Sequence, residues 1–246
     1  MRRIVGLSMI ALLIGCNSPK KKEPESAVKN GIVTVYRDDG RLHKELSYKD
    51  GKLHGLSKVY HPNGKLYLET EWANDKRHGL TRQYFQSGIL YSETYYDSGK
   101  ITGVLKKYHK DGKLKAEMPY KNGVECAGLK EYILNGDPRP HYPEIVITTD
   151  NKIKAEGIYY LKFSVSERVH KATFYRGRLK DDCLHSELEK IYQPKDDEAL
   201  LAYPVSDFQI IDQTDNFIAK IETIAGNVLV VEKPFRIKIQ PEFLGD

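Results

Sequence analysis

Between residues 31 and 136, apolar and polar side chains alternate with a spacing of two, and glycine interrupts the alternation at regular intervals. That spacing puts successive apolar side chains on one face of an extended strand, whereas a spacing of three or four would build a helix. Leu42, Leu46 and Tyr48 fall on one such face, as do Leu66, Leu68 and Trp72 further on, while Arg41, His43, Glu45 and Lys49 fall on the other. Ile32 and Tyr36, or Leu56 and Tyr60, are expected to add to the Leu/Tyr face from the preceding strand. The paired strands are separated by Asp38-Asp39-Gly40, Pro62-Asn63-Gly64, Gln86-Ser87-Gly88 and Lys110-Asp111-Gly112, short turns in which glycine takes a positive φ. Each unit therefore predicts a β-hairpin.

The hairpins follow one phrase that recurs every 24 residues. It opens with Gly31, Gly55, Gly79 and Gly103, continues with Tyr36, Tyr60, Tyr84 and Tyr108, and reaches a turn glycine at Gly40, Gly64, Gly88 and Gly112. A glutamate follows (Glu45, Glu69, Glu93, Glu117), then an aromatic (Tyr48, Trp72, Tyr96, Tyr120), then Gly51, Asp75, Gly99 and Gly123. A partial fifth copy keeps the period at Tyr132 and Gly136, with its leading glycine displaced to Gly128. One hairpin cannot bury its apolar face, but several side by side form a long antiparallel sheet in which each copy contacts chiefly its neighbours. Two strands per copy advance about 10 Å, giving an elongated, twisted ribbon of roughly 40 to 50 Å. The order of glycine, aromatic, turn glycine, glutamate and aromatic over residues 31–136 resembles the MORN-variant repeat. That resemblance implies a β-ribbon scaffold, and proteins with the repeat often carry an antitoxin-like label.

Residues 1–16 have the form of a lipoprotein signal peptide: Arg2 and Arg3, an apolar run from Ile4 to Ile14, and Leu13-Ile14-Gly15-Cys16, which is similar to a bacterial lipobox. Diacylation at Cys16 would make the anchoring effectively permanent. Asn17 in place of an aspartate favours the outer membrane. Residues 17–30, rich in Pro, Lys, Glu and Ser, read as a flexible tether of about 20 Å. Residues 137–143 hold three prolines and read as a linker. Beyond it, residues 144–246 lose the 24-residue period but show strand signals at 144–149, 157–166, 169–176, 208–212, 217–224, 227–232 and 235–240, punctuated by turn residues at Asp150-Asn151, Arg176-Gly177, Asp215-Asn216 and Ala225-Gly226, with 181–201 more helical or irregular. Seven short strands predict an immunoglobulin-like β-sandwich, and the chain as a whole is expected to be all-β.

Charge alters this picture little. Without Arg2 and Arg3 the chain has 37 basic and 34 acidic residues; the basic ones are spread over the copies, which argues against nucleic acid. Cys126 and Cys183 are a candidate disulfide, with two free or buried thiols as the alternative. Equivalent glutamates stand about 10 Å apart, too far to share a proton, so cross-strand pairing with Lys or Arg is the expected role. His54 and His78 share a column two strands apart and cannot hold one metal ion. None of the catalytic or phosphate-binding motifs sought is present, and no catalytic residue, metal or cofactor is expected. Tyr67, Phe85, Tyr91 and Tyr95, expected opposite the core, are the candidate binding residues for a protein or glycan partner. The leading expectation is a lipid-anchored, non-catalytic binding or scaffold protein. An antitoxin or immunity protein, recognisable by a tight stoichiometric toxin partner, is the first alternative. An envelope enzyme with a site near His170, Asp181 and His185 is the second.

Overall fold

The computed structural model describes residues 29–206 and 209–240, so the signal peptide, Cys16 and nearly all of the tether lie outside the described residues. The repeat region opens with β1 (Gly31–Tyr36), β2 (Leu42–Lys49) and the short β3 (Lys52–Leu53). It continues through β4 (Gly55–Tyr60), β5 (Leu66–Ala73), β6 (Lys76–Tyr84), β7 (Leu90–Asp97), β8 (Lys100–Tyr108) and β9 (Leu114–Lys121), and ends in β10 (Val124–Glu125) and β11 (Lys130–Glu131). These 11 strands form one antiparallel sheet in the order β1-β2-β4-β5-β6-β7-β8-β9-β10, with β3 beside β2 and β11 beside β9. The order follows the chain, as a stack of hairpins requires.

Every hairpin closes in the same way. The backbone N–H of Arg37, His61, Phe85, His109 and Ile133 donates to the carbonyl of Arg41, Lys65, Ile89, Lys113 and Asp137 respectively, so the partial fifth copy completes its turn as well. Successive copies are joined by Asp50-Gly51, Asn74-Asp75, Ser98-Gly99 and Asn122-Gly123, with φ positive at both residues of each pair. Those are two-residue turns of the kind whose twist matches a right-handed hairpin. Asp75 replaces glycine there because Asn and Asp tolerate the left-handed conformation.

The register corrects one expectation about faces. Ile32 lies opposite Ser47 and Leu56 opposite Glu71, which puts both on the glutamate face. The Leu/Tyr face instead receives Gly31 opposite Tyr48, Val33 opposite Leu46 and Gly55 opposite Trp72. Register shifts between Val35 and Tyr36, and at the matching place in each hairpin, explain why counting by twos across the turn fails.

The C-terminal region contains β12 (Ile145–Lys152), a single helical turn α1 (Ile153–Glu156), β13 (Ile158–Val165), β14 (Lys171–Arg176), β15 (Glu189–Lys190), β16 (Tyr192–Lys195), β17 (Glu198–Pro204), β18 (Ile211–Glu222) and β19 (Val228–Ile239). Two four-stranded sheets, β12-β13-β17-β16 and β15-β14-β18-β19, reproduce the strand arrangement of an immunoglobulin-type sandwich. Two pairs of expected strands are each one long strand: β18 and β19 remain paired from Ile211–Ile239 to Glu222–Val228. Asp215 and Asn216, expected as a turn, sit within that ladder opposite Phe235 and Pro234. Residues 181–201, expected to be helical or irregular, supply β15, β16 and part of β17.

Phe163, Phe174 and Phe217 meet at the centre of the sandwich, with ring centroids 4.8 and 5.8 Å apart around Phe163. The same core takes in Met118 and Leu129 from the repeat sheet, with Leu105 and Tyr120 packed against it. The sheet and the sandwich thus share one hydrophobic core, and residues 137–143 pass over it as a mostly exposed joint that packs Tyr142 against it and buries Pro143.

Candidate functional site

The glutamate face of the sheet is built from a single repeating row. Glu45 pairs with Lys58, Lys58 with Glu69, Glu69 with Arg82, Arg82 with Glu93, Glu93 with Lys106, Lys106 with Glu117 and Glu117 with Lys130, each directly across the sheet. Acid and base alternate from β2 to β11, and among these neighbours Arg82 and Glu93 close an ion pair, Arg82 Nε donating to Glu93 Oε2 at 2.6 Å. Direct cross-strand ion pairs contribute roughly 0.2–1 kcal/mol each.

The repeat tyrosines close over this row from the next copy. The Tyr60 hydroxyl donates to Glu45 at 2.6 Å, Tyr84 to Glu69 at 2.9 Å and Tyr132 to Glu117 at 3.0 Å. Burial, and then the adjacent carboxylate, push the Tyr60 and Tyr84 hydroxyls up to about 12. Tyrosine and glutamate therefore recur together because Tyr60, Tyr84 and Tyr132 each hydrogen-bond the glutamate 15 residues earlier, which locks adjacent copies, while Glu93 accepts from Arg82 instead. Arg37, His61 and His109 also reach across copies, to the carbonyls of Tyr60, Tyr84 and Tyr132.

Beside this row lie large apolar side chains open to solvent. Ile32 is 70 % exposed, Leu56 46 %, Val104 44 %, Tyr95 44 % and Tyr67 36 %. Tyr95 lies opposite Leu80 and Thr102, in line with the ladder on its own strand. The four aromatics picked from sequence divide here. Tyr67 and Tyr95 are exposed, whereas Phe85 and Tyr91 are half-buried against each other, edge to face at 5.0 Å. Tyr67 makes the same contact with His61 at 4.8 Å. The aliphatic column of Ile32, Leu56 and Val104 was missed. The signal was its place directly after the leading glycine of each copy.

The remaining candidates are structural or separate. Cys126 and Cys183 are joined as a disulfide linking the end of the repeat sheet to the loop between β14 and β15. Asp181 pairs with Lys121 at 2.7 Å, His185 bonds the Arg178 carbonyl and His170 the Ile224 carbonyl, so each is tied to a different neighbour. His78 faces Asp97 at 3.4 Å, and His54 and His78 line a shallow pocket of about 460 Å³ with Glu71 and Trp72. Among the described residues, no cluster of three or more His, Cys, Asp or Glu has the geometry to hold a metal ion.

A larger pocket, about 660 Å³, opens where the fifth copy meets the β18–β19 tip, lined in part by Ile133, Leu134, Lys115, Ala225 and Asn227. Beside it lies Glu131, 5 % exposed. Its carboxylate accepts from Arg139 Nη1 at 2.8 Å, Thr223 Oγ1 at 3.1 Å and Asn227 Nδ2 at 2.6 Å. Nearby, Lys107 Nζ donates to Gly226 O and Asn227 Oδ1, both at 2.9 Å, and burial lowers its pKa. This cluster holds the sandwich onto the sheet.

The molecule is a β-hairpin repeat ribbon closed at one end by a sandwich. Its repeats are those described as the MORN repeat variant, whose family model matches three consecutive copies, residues 53–74, 77–98 and 101–122. No curated protein matches the chain. Among solved structures, the extracellular domain of a protein described as a one-component system from B. thetaiotaomicron aligns at 10 % identity and a TM-score of 0.22. The alignment covers 85 % of this chain and 31 % of that one, so this chain spans about a third of its length, and so low a score defines no common fold.

Proposed function

We propose that this chain is a non-catalytic binding or scaffold protein, anchored by lipid at Cys16 to a bacterial envelope and offering the glutamate face of its repeat sheet to a protein partner. The observation that carries the reading is the exposure of Ile32, Leu56, Tyr67, Tyr95 and Val104 along a sheet whose other face joins the core at its last copies. Exposed apolar side chains beside glutamates that are already hydrogen-bonded within the sheet suit a partner that excludes water over the apolar column. Aliphatic side chains beside the tyrosines favour a protein over a glycan. The antiparallel ladder fixes these side chains in place, so little ordering entropy opposes binding.

Two measurements test the reading. Labelled palmitate is expected to enter the native chain and not Cys16→Ser; a native chain without label removes the anchor. Tyr67→Ser, Tyr91→Ser and Tyr95→Ser together are expected to abolish recovery of the partner that co-purifies with the native chain from membranes. Unchanged recovery removes the binding face.

A further inference from the structure

We infer that the outer edge of β1 is a docking site for a second copy of this chain, joining two repeat sheets into one across a two-fold axis at Thr34. In the sheet order β1 is terminal, and among the described residues no strand pairs with its outer side. An open edge exposes a row of backbone donors and acceptors that template another strand, and edges are usually blunted by lysine, proline or bulges. The edge strand β19 follows that practice, with Lys233, Pro234, Arg236 and Lys238. By contrast, β1 reads Ile32-Val33-Thr34-Val35-Tyr36, free of charge and proline and rich in strand-forming residues. Ile32 and Tyr36 are 70 % and 63 % exposed.

The occupant follows from what closes the far end of the sheet. There the loop between β14 and β15 lies along β10. Ala127 N–H donates to the Asp182 carbonyl at 2.7 Å, Leu184 N–H donates to the Glu125 carbonyl at 3.1 Å, and the Cys126–Cys183 disulfide fixes the contact. Copies therefore cannot stack head to tail, because the tail of each is occupied. The arrangement left to identical chains is isologous, edge to the same edge, and it closes at two.

Symmetry also sets the register. A two-fold axis normal to an antiparallel strand pair keeps each face on its own side, so the axis must pass a residue facing its own counterpart. Centred on Thr34, the pairing sets exposed Ile32 against exposed Tyr36 of the other copy and Val33 against Val35. Thr34 lies opposite Glu45, so two neutral threonines would meet at the axis and keep the Glu45 carboxylates of the two copies apart.

The inference does not rest on the partner proposed for the glutamate face, with which the docking edge shares Ile32. Its test uses the full chain in the membrane of the producing cells, treated with a short bifunctional maleimide. Thr34→Cys is expected to give a covalent dimer. Glu45→Cys is not, because three strand spacings, about 14 Å, separate its two copies. Adding Ile32→Lys and Tyr36→Lys to Thr34→Cys faces like charges across the axis and is expected to abolish the dimer, with circular dichroism unchanged. A monomeric Thr34→Cys chain overturns the inference, whether the edge is empty or covered by the chain's own N-terminal segment. A dimer that survives the lysine pair, or that Glu45→Cys forms equally well, also overturns it.

Discussion

At the scale of single residues, the repeat signature is a set of contacts between copies. Tyr60 and Tyr84 recur because their hydroxyls donate to Glu45 and Glu69. Tyr60→Phe removes one such bond and is expected to cost about 1 kcal/mol in a denaturant titration. The same bonds set an alkaline limit. Folding raises the Tyr60 and Tyr84 pKa from 10 to about 12, so the stability they supply is complete below pH 10 and is lost as pH rises through 12. Unfolding followed between pH 9 and 12 should show that loss, reduced in a chain with Tyr60→Phe and Tyr84→Phe. Backbone shape matters as well. Gly79 has φ +99°, and a Cβ there would run into the Glu71 carboxylate, whereas one on Gly103 would meet no atom within 4 Å. Gly79→Ala is expected to cost about 1–3 kcal/mol and Gly103→Ala less, on the same titration.

At the scale of elements, each hairpin leans on the next, so copies should be removable. Deleting residues 79–102 takes out one full period, and small-angle scattering should show a folded chain shortened by about 10 Å. The period, the hairpins and the sandwich were legible in the sequence because they depend on local alternation and turn residues; of the expected glutamate pairs with Lys or Arg, Glu93 with Arg82 forms, while Glu45, Glu69 and Glu117 accept from tyrosines instead. The faces of Ile32 and Leu56 were not, since the register shifts at each turn are backbone events that alternation does not encode. Asp215 and Asn216 read as a turn, but cross-strand pairing with Phe235 and Pro234 overrides local preference. The Glu131 cluster was invisible for another reason. Its partners Thr223 and Asn227 come from more than 90 residues away, and no short pattern announces them. Of the candidate binding residues, Tyr67 and Tyr95 were found by alternation, while the aliphatic column beside them was assigned to the opposite face.

At the scale of the whole molecule, ribbon and sandwich form one body through a shared core, a buried carboxylate and a disulfide. Glu131→Ala would leave Arg139, Thr223 and Asn227 without their acceptor in a dry joint, and a loss of about 3–5 kcal/mol is expected in calorimetry or denaturation. Replacing both Cys126 and Cys183 by serine opens a loop of 57 residues and should lower stability by about 2–4 kcal/mol.

Because the strands lie side by side in the order in which the chain runs, with the first one outermost, a pull on the N-terminus would act like a thumb at the start of adhesive tape. The load would fall on one strand at a time, so the ribbon would peel from β1 inward in small steps of similar size. The peeling would stall at the crosslinked end, and a force–extension trace would show a ladder of low peaks before one high one.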